Sequence, residues 1–208
     1  MKIAVIGDIH GYLPGLIAAL SAIDDVRCER IVCVGDIIDG FPENNRVVDI
    51  LRGRSDIASQ RGNHDEIDVP GLQPDHRRWL QSLPDHLNAE GFDFFHFSPR
   101  RRDEKMNSVH AAWNAFDDAD FANAVVGHAH IRALFRFTKG MGIQAEEISV
   151  GVHGTPLETG YRHILVNPSL SYNRSGPENP AFTIIDTDPM AMRIVNVAIP
   201  PMERHLRR

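Results

Sequence analysis

The sequence predicts an α/β protein that begins with parallel strands and continues with mostly antiparallel ones. Up to residue 126, short continuous apolar runs alternate with segments in which apolar residues recur at helical spacing. Beyond that point, short strand candidates follow one another between turns that contain glycine and proline. Neither a linker nor an internal repeat divides the chain, so we expect a single domain that covers residues 1–208.

The amino-terminal segment predicts a βαβ unit. Residues 3–6 form an apolar run that stops at Gly7, and residues 31–34 form a second run that stops at Gly35. Between them, Pro14 opens a helical pattern. A strand that is covered on both faces has such a continuous apolar sequence, so we expect these two strands to be parallel neighbours in a buried sheet.

The later elements are assigned from the same patterns. Helices are predicted over residues 44–52, over residues 74–83 and within residues 98–123. Strands are predicted over residues 56–59, 92–95 and 124–126, and then over residues 131–137, 147–152, 162–166, 181–186 and 193–199.

Composition and charge exclude several classes of function. A formal net charge of -6 argues against bulk nucleic-acid binding, which favours a basic surface. The chain starts directly on a strand-like segment, and its apolar runs are much shorter than the ~18–20 residues of a membrane span. We therefore expect a cytoplasmic protein without a membrane partner. No pattern in the sequence predicts an oligomeric state.

Five of the predicted strands lead into residue types that bind divalent metal ions. These residues are Asp8 and His10, Asp36, Asn63, His96, and His128 and His130. Carboxylate, imidazole and amide groups are the ligands expected for manganese, iron, zinc or nickel. In an open α/β sheet, ligands bind outside the carboxyl ends of the strands. We therefore expect a two-metal site with Asp36 as its central ligand.

Each motif also has a structural explanation when it is taken alone. Asp8 and His10 fit a turn at a strand end, and Asn63 fits a turn as well. His96 fits a partly buried core histidine, and Asp39 fits a cap of the following turn. The metal site is favoured because independent coincidences would have to occur at the end of every predicted parallel strand.

The order and spacing of these motifs resemble those of the calcineurin-like metallophosphoesterases. The matching blocks are Asp8-x-His10, Gly35-Asp36-x-x-Asp39-Gly40, Gly62-Asn63-His64-Asp65, His96, and Gly127-His128-x-His130. They extend to about residue 130, and the short chain is similar to the small bacterial and archaeal phosphodiesterase branch. The resemblance implies a four-layer α/β/β/α sandwich with two packed mixed β-sheets.

The resemblance also implies roles for the motif residues. Three residues would hold each metal in addition to a bridging Asp36: Asp8, His10 and His130 for one, and Asn63, His96 and His128 for the other. His64 would act as the acid near the leaving oxygen, oriented by Asp39. The implied cofactors are two divalent metal ions, with manganese favoured over iron, zinc, nickel or cobalt.

The implied activity is hydrolysis of a phosphodiester or phosphomonoester bond in a small phosphorylated substrate, by a hydroxide that two metals activate. Two alternatives stay open. The first is a dinucleoside-polyphosphate or nucleotide hydrolase, and the second is a non-catalytic protein-interaction scaffold on the same fold. A scaffold predicts eroded ligands, whereas every ligand position is intact in this chain.

The chain departs from the family pattern at points that concern the substrate. The arginine that follows the second block in Ser/Thr phosphoprotein phosphatases is absent after Gly40. Its absence weakens an assignment of the chain as a protein phosphatase. The family's Asn-Pro-Gly-Ser segment is Asn167-Pro168-Ser169 here, without the glycine. Candidate substrate contacts are Asn63, His64, Arg100 and Arg174. For Arg100, which opens a run of three arginines, a solvated charged surface is the alternative.

Overall fold

The structure of the protein is a computed structural model, which describes residues 1–138, 145–151, 153–175, 177 and 179–199. Within these residues it contains two six-stranded β-sheets and four α-helices. The strands are β1 (Lys2–Ile6), β2 (Arg30–Cys33), β3 (Ile57–Ser59), β4 (His86–Ala89), β5 (Phe92–Phe95), β6 (Asn123–Val126), β7 (Ala133–Phe137), β8 (Glu146–Ile148), β9 (Thr155–Pro156), β10 (Arg162–Val166), β11 (Ala181–Thr187) and β12 (Met190–Asn196). The helices are α1 (Leu13–Val26), α2 (Asn44–Gly53), α3 (Pro74–Ser82) and α4 (Val109–Asp118). None of the described helices has both the length and the apolar character that a membrane span needs.

Both sheets mix parallel and antiparallel strands. The first has the order β3-β2-β1-β11-β12-β9, in which β1 is parallel to β2 and antiparallel to β11. The second has the order β4-β5-β6-β10-β7-β8, in which β6 is parallel to both β5 and β10. Within each sheet, the parallel strands that precede the predicted ligands are neighbours, so their carboxyl ends lie side by side.

Three apolar cores hold the layers together. Side chains from the facing surfaces of the two sheets, such as Phe94, pack in the middle. The outer face of the first sheet packs against α1, α2 and α3, and the outer face of the second sheet packs against α4. Successive side chains of β1 point to opposite faces of the sheet and so contribute to two of these cores. Ile3 and Val5 lie between the sheets, while Ala4 and Ile6 lie against the helices. The predicted α/β/β/α sandwich is confirmed.

The structure differs from the predicted elements in a few strands. β4 was not predicted because it is an edge strand without an apolar run, its residues being alternately exposed and half-buried. β9 has only two residues. The mostly antiparallel second half is confirmed, although β10 pairs in parallel with β6. The strand predicted over residues 147–152 is observed only in part, because β8 ends at Ile148 and residues 149–151 are not in a strand; Val152 lies outside the described residues.

Replacement of Phe94 tests the core between the sheets. Its side chain is 0% exposed, so Phe94→Ala is expected to lower the free energy of unfolding by about 3–5 kcal/mol. Ile17 on α1 is 51% exposed, and Ile17→Ala is the control, with an expected change below about 0.5 kcal/mol. Urea denaturation measures both values. Equal losses in the two variants would contradict the assignment of the layers.

Candidate metal centre

The predicted ligands lie in the loops that follow five strands of the two sheets. The loops after β1, β2, β3, β5 and β6 carry, in that order, Asp8 and His10, Asp36, Asn63, His96, and His128 and His130. Hydrogen bonds connect loops of different sheets. The backbone N–H of His128 lies 3.1 and 3.2 Å from the two carboxylate oxygens of Asp8, and Nδ1 of His96 donates to the carbonyl of Val34 at 2.8 Å. The two sheets therefore meet at one edge through these residues.

Most of the site residues have a backbone conformation that non-glycine residues rarely adopt. Nine described non-glycine residues have a positive φ, and six of them are predicted site residues: Asp8, His10, Asp36, Asp39, His128 and His130. Each such conformation costs about 1–3 kcal/mol and persists only where the surroundings impose it. The strain is thus concentrated where side chains have to turn from the strand ends towards a common centre.

The first cluster consists of Asp8, His10, Asp36 and His130, whose donor atoms all lie within 4.8 Å of one another. The Nε2 atoms of His10 and His130 are 3.2 Å apart, and Nε2 of His130 is 3.2 Å from Oδ1 of Asp8. Nε2 of His10 is 3.8 Å from Oδ2 of Asp36. All four residues are buried. Two carboxylates and two imidazoles therefore converge on one point.

The second cluster consists of Asp36, His96 and His128, again with donor atoms within 4.8 Å of one another. Nε2 of His96 lies 3.3 Å from Oδ2 of Asp36 and 3.2 Å from Oδ1 of Asn63, so Asn63 adds an amide oxygen to this group. Among the described residues, Asp36 alone belongs to both clusters. The structure thus brings together all seven predicted ligands, while their role as ligands stays a prediction.

The orientation of three histidine rings fits metal binding. Each ring has its Nδ1 within hydrogen-bond distance of a backbone carbonyl: His10 to Asp39 at 3.1 Å, His96 to Val34 at 2.8 Å, and His130 to Tyr172 at 3.2 Å. Because a carbonyl oxygen only accepts, Nδ1 carries the proton in each ring. In a neutral ring, Nε2 then presents a lone pair to the cluster, where it faces other acceptors. A bound cation would remove the unfavourable contact between these acceptor atoms. The arrangement of the ring nitrogens therefore suits divalent metals.

The charges of the clusters point to cation binding as well. Burial disfavours the charged forms of Asp8 and Asp36, but neighbouring imidazoles outweigh it and hold both pKa values below the ordinary range. Burial also disfavours a charged His96, yet the two carboxylates raise its pKa to about 9. The proton that this pKa places on Nε2 lies towards Asp36, and a divalent cation at that position would replace it. Burial and the charge of His96 lower the pKa of His128 to about 4, which keeps that ring neutral.

His64 lies beside the clusters and is held by two carboxylates. Its Nδ1 donates to Oδ2 of Asp39 at 2.7 Å, and its backbone N–H donates to Oδ1 of Asp36 at 2.9 Å. This arrangement turns Nε2 towards the centre, 3.9 Å from Oδ2 of Asp36. The side chain is 34% exposed, so it is accessible to a bound molecule.

Asp65 connects two of the ligand loops. Its buried carboxylate accepts hydrogen bonds from the backbone N–H groups of Ile37 at 2.8 Å, Ile38 at 3.2 Å and Gly62 at 2.9 Å. Two of these donors follow Asp36 and the third precedes Asn63 along the chain. One side chain therefore fixes the loop after β2 against the loop after β3. The sequence motif contains Asp65 but does not reveal this role.

The segment of residues 169–174 supports the first cluster. The hydroxyls of Ser169 and Ser171 both donate to the backbone carbonyl of Asp8, at 2.8 and 3.0 Å. The backbone N–H of Arg174 donates to the carbonyl of His130 at 2.6 Å. Ser169 stands where the family pattern has glycine, and its hydroxyl supplies one of the two bonds to Asp8. The altered loop thus holds two of the predicted ligands in place.

A cavity of about 500 Å³ borders the clusters. Its lining consists of the predicted site residues His10, Asp36, Asp39, His64, His128, His130 and Arg174, together with Gly40, Phe41, Asn44, Val69, Lys105 and Tyr172. Sequence reasoning does not identify Phe41, Lys105 or Tyr172, because no motif or spacing marks them. Asn63 and Arg100 are not part of this lining.

Arg100 is held on the surface by acidic neighbours. Its guanidinium pairs with Asp118 and with Glu104. The side chain of Arg102 pairs with Glu66 in a similar way. A solvated charged surface therefore describes Arg100 better than a substrate contact does.

The residues that converge at the edge of the sheets are of types that bind divalent metal ions, and the family match places the chain among the phosphoesterases. The family model of the calcineurin-like phosphoesterases matches residues 1–160. This match covers most of the chain and all the predicted ligands, so the chain belongs to the calcineurin-like phosphoesterase family.

Individual relatives are distant in sequence. The uncharacterized protein MJ0912 of Methanocaldococcus jannaschii is 26% identical over 225 residues, which cover 94% of this chain and 86% of the relative. A metallophosphoesterase from Sphaerobacter thermophilus has a similar structure, with a TM-score of 0.81, 23% identity, and coverage of 96% of this chain and 89% of the other. The hypothetical protein PH1004 from Pyrococcus horikoshii OT3 has a TM-score of 0.71 at 15% identity, with coverage of 99% and 90%. At these identities the structural matches show the fold alone.

Gly62 tests how closely the loops around Asp36 are packed. A Cβ on Gly62 would overlap the backbone nitrogen and the carboxylate of Asp36. Gly62→Ala is therefore expected to displace Asp36, to lower the midpoint of thermal unfolding by roughly 5 °C or more, and to weaken manganese binding in calorimetry. Gly53→Ala at the end of α2 is the matched control, because a Cβ there meets no atom within 4 Å. A Gly62→Ala variant that melts and binds manganese like the control would contradict this packing.

Proposed function

We propose that the protein is a metal-dependent phosphoesterase that hydrolyses a phosphodiester or phosphomonoester bond in a small phosphorylated substrate. Two divalent ions would share Asp36 as a common ligand. The other ligands would be Asp8, His10 and His130 for one ion, and Asn63, His96 and His128 for the other. The observation that carries this proposal is the presence of two donor clusters that have one buried carboxylate in common.

The donor types bear on the metal. The clusters combine carboxylate and imidazole groups without a thiolate, a set that suits manganese, with iron, zinc, nickel and cobalt as alternatives. When bound, two such ions lower the pKa of a water molecule and neutralise phosphoryl oxygens, so that water can attack phosphorus. The chain supplies the remaining contributions, which are orientation and proton transfer.

His64 is proposed to protonate the leaving oxygen. Asp39 accepts the Nδ1 proton at 2.7 Å and so fixes the ring with Nε2 towards the centre. A ring held in this way can deliver a proton from Nε2 to the oxygen that departs from phosphorus. The carboxylate of Asp39 keeps the ring in this orientation during the transfer.

A non-catalytic scaffold on the same fold has less support. Every predicted ligand and His64 are present, and the donors converge. A scaffold would also need an exposed apolar surface, for which the segment of residues 70–120 is the candidate. The exposed large apolar side chains among the described residues are Ile17 and Ile67, both outside that segment.

The charge and composition of the chain guide our proposals for its location and its other partners. A net charge of -6 gives no general attraction to nucleic acids, so we propose a small-molecule substrate without bulk nucleic-acid binding. We also propose a cytoplasmic location and no membrane partner, as expected from the sequence.

Hydrolysis of bis(p-nitrophenyl) phosphate in the presence of manganese tests the proposed activity. The wild-type protein is expected to release p-nitrophenolate, and Asp36→Asn is expected to lower kcat/KM by more than about 100-fold, since it removes the shared anionic ligand. Asp25→Asn is the control, because Asp25 is exposed in the last turn of α1, which leads to the amino end of β2, whereas the clusters follow the carboxyl ends of the strands. Equal activity of Asp36→Asn and Asp25→Asn would rule out the proposed centre.

The dependence on the leaving group tests His64. His64→Gln is expected to lower kcat/KM about 100-fold for the phenyl ester of thymidine 5′-phosphate, whose leaving oxygen needs a proton. The loss should be much smaller for the p-nitrophenyl ester, because p-nitrophenolate leaves without one. Asp39→Asn should show the same pattern with a smaller amplitude. Equal losses for both esters would contradict the role of His64 as the acid.

A further inference from the structure

The cavity beside the clusters is larger than one phosphoryl group requires. Its volume of about 500 Å³ falls in the range of sites that enclose drug-sized molecules. Besides the predicted ligands and His64, its lining contains the apolar or aromatic side chains Phe41, Val69 and Tyr172 and the cationic side chains Lys105 and Arg174. We call the last two residues the cavity cations.

Neither of the cavity cations, Lys105 and Arg174, has a carboxylate partner among the residues that the structure describes. The nearby Arg100 and Arg102, in contrast, are paired with acidic side chains. The guanidinium of Arg174 is 5.8 Å from the ring centre of Tyr172, with its NH2 group 3.3 Å from the hydroxyl of that residue. This contact leaves the charge of Arg174 available to a ligand.

The cavity cations approach the centre from two different clusters. The backbone N–H of Arg174 donates to the carbonyl of His130, which belongs to the first cluster, at 2.6 Å. Lys105 comes from the segment before α4 and lines the same cavity as His128 of the second cluster. A molecule that reaches the centre through the cavity therefore passes two cations that have no carboxylate partner in the described part of the chain.

We propose that Lys105 and Arg174 bind a second phosphoryl group of the substrate, so that the protein acts on organic molecules that carry at least two phosphoryl groups. The proposal rests on the proposed function, in which the metal centre and His64 engage the phosphoryl group that is cleaved. Two divalent ions would balance the charge of that group, so two further cations match a second anion. Phe41, Val69 and Tyr172 would contact the organic part, such as an aromatic base.

The reaction leaves the second phosphoryl group intact. A water oxygen forms a bond to the phosphorus at the centre, the bond from that phosphorus to the leaving oxygen breaks, and the leaving oxygen takes up a proton. One product carries the phosphorus that was attacked, and the other carries the leaving oxygen. Together they contain the atoms of substrate and water. The cavity cations thus contribute to binding and do not enter the bond-making step.

Calorimetric titration of the manganese-loaded protein tests the proposal with three ligands. AMP carries one phosphoryl group. Adenosine 5′-(α,β-methylene)diphosphate carries two phosphoryl groups at short separation, and adenosine 3′,5′-bisphosphate carries two at long separation. The wild-type protein is expected to bind at least one of the two-phosphate ligands about tenfold more tightly than AMP. In the double variant Lys105→Gln/Arg174→Gln, that preference is expected to fall close to one.

Arg101→Gln is the matched control, since Arg101 is exposed in the same segment as Lys105 and is not part of the cavity lining. It removes one positive charge and should retain the preference, and thermal unfolding verifies that all variants are folded. Equal affinity of the wild-type protein for the three ligands, or an unchanged preference in the double variant, would overturn the proposal. Lack of bis(p-nitrophenyl) phosphate hydrolysis together with a retained preference would instead contradict only the proposed function.

Discussion

The buried carboxylate of Asp36 is the group on which the geometry of the site depends. One of its oxygens lies beside His96, and the other accepts the backbone N–H of His64. Its backbone carbonyl accepts the N–H groups of Ile9 and His10 at 2.8 and 2.9 Å. These contacts connect the loops after β1, β2, β3 and β5. A buried carboxylate stays ionised only where positive charge or hydrogen-bond donors face it, so four loops are organised around one anion.

Support for this strained arrangement comes from the whole chain. Asp65 holds the backbone that follows Asp36, and Ser169 with Ser171 holds the carbonyl of Asp8. The serines lie between β10 and β11, and β11 pairs directly with β1, which carries Asp8 at its end. The second half of the chain therefore contributes to the site although its last predicted ligand is His130. Its contribution is to hold residues in conformations that they would not adopt alone.

The convergence of the ligands could be predicted from local patterns, whereas the four-layer sandwich was implied by the resemblance of the motifs to the calcineurin-like family. Buried parallel strands have continuous apolar sequences, and their polar stops mark the edge where side chains meet. β4 was not predicted, because an edge strand does not require a continuous apolar sequence. Lys105 and Tyr172 were not predicted because loops bring them to the cavity. The path of a loop has no periodic sequence pattern from which it could be predicted. Arg100 was a candidate because of its charge and its closeness to His96 in the sequence, and only the fold reveals its partners Asp118 and Glu104.

The most direct test of the central claim is anomalous scattering at the manganese edge from crystals grown with manganese and without chelator. The account predicts two peaks per chain, each within coordination distance of the Asp36 carboxylate. One peak would be surrounded by Asp8, His10 and His130, and the other by Asn63, His96 and His128. A single peak, or two peaks of which one does not contact Asp36, would contradict the shared two-metal centre.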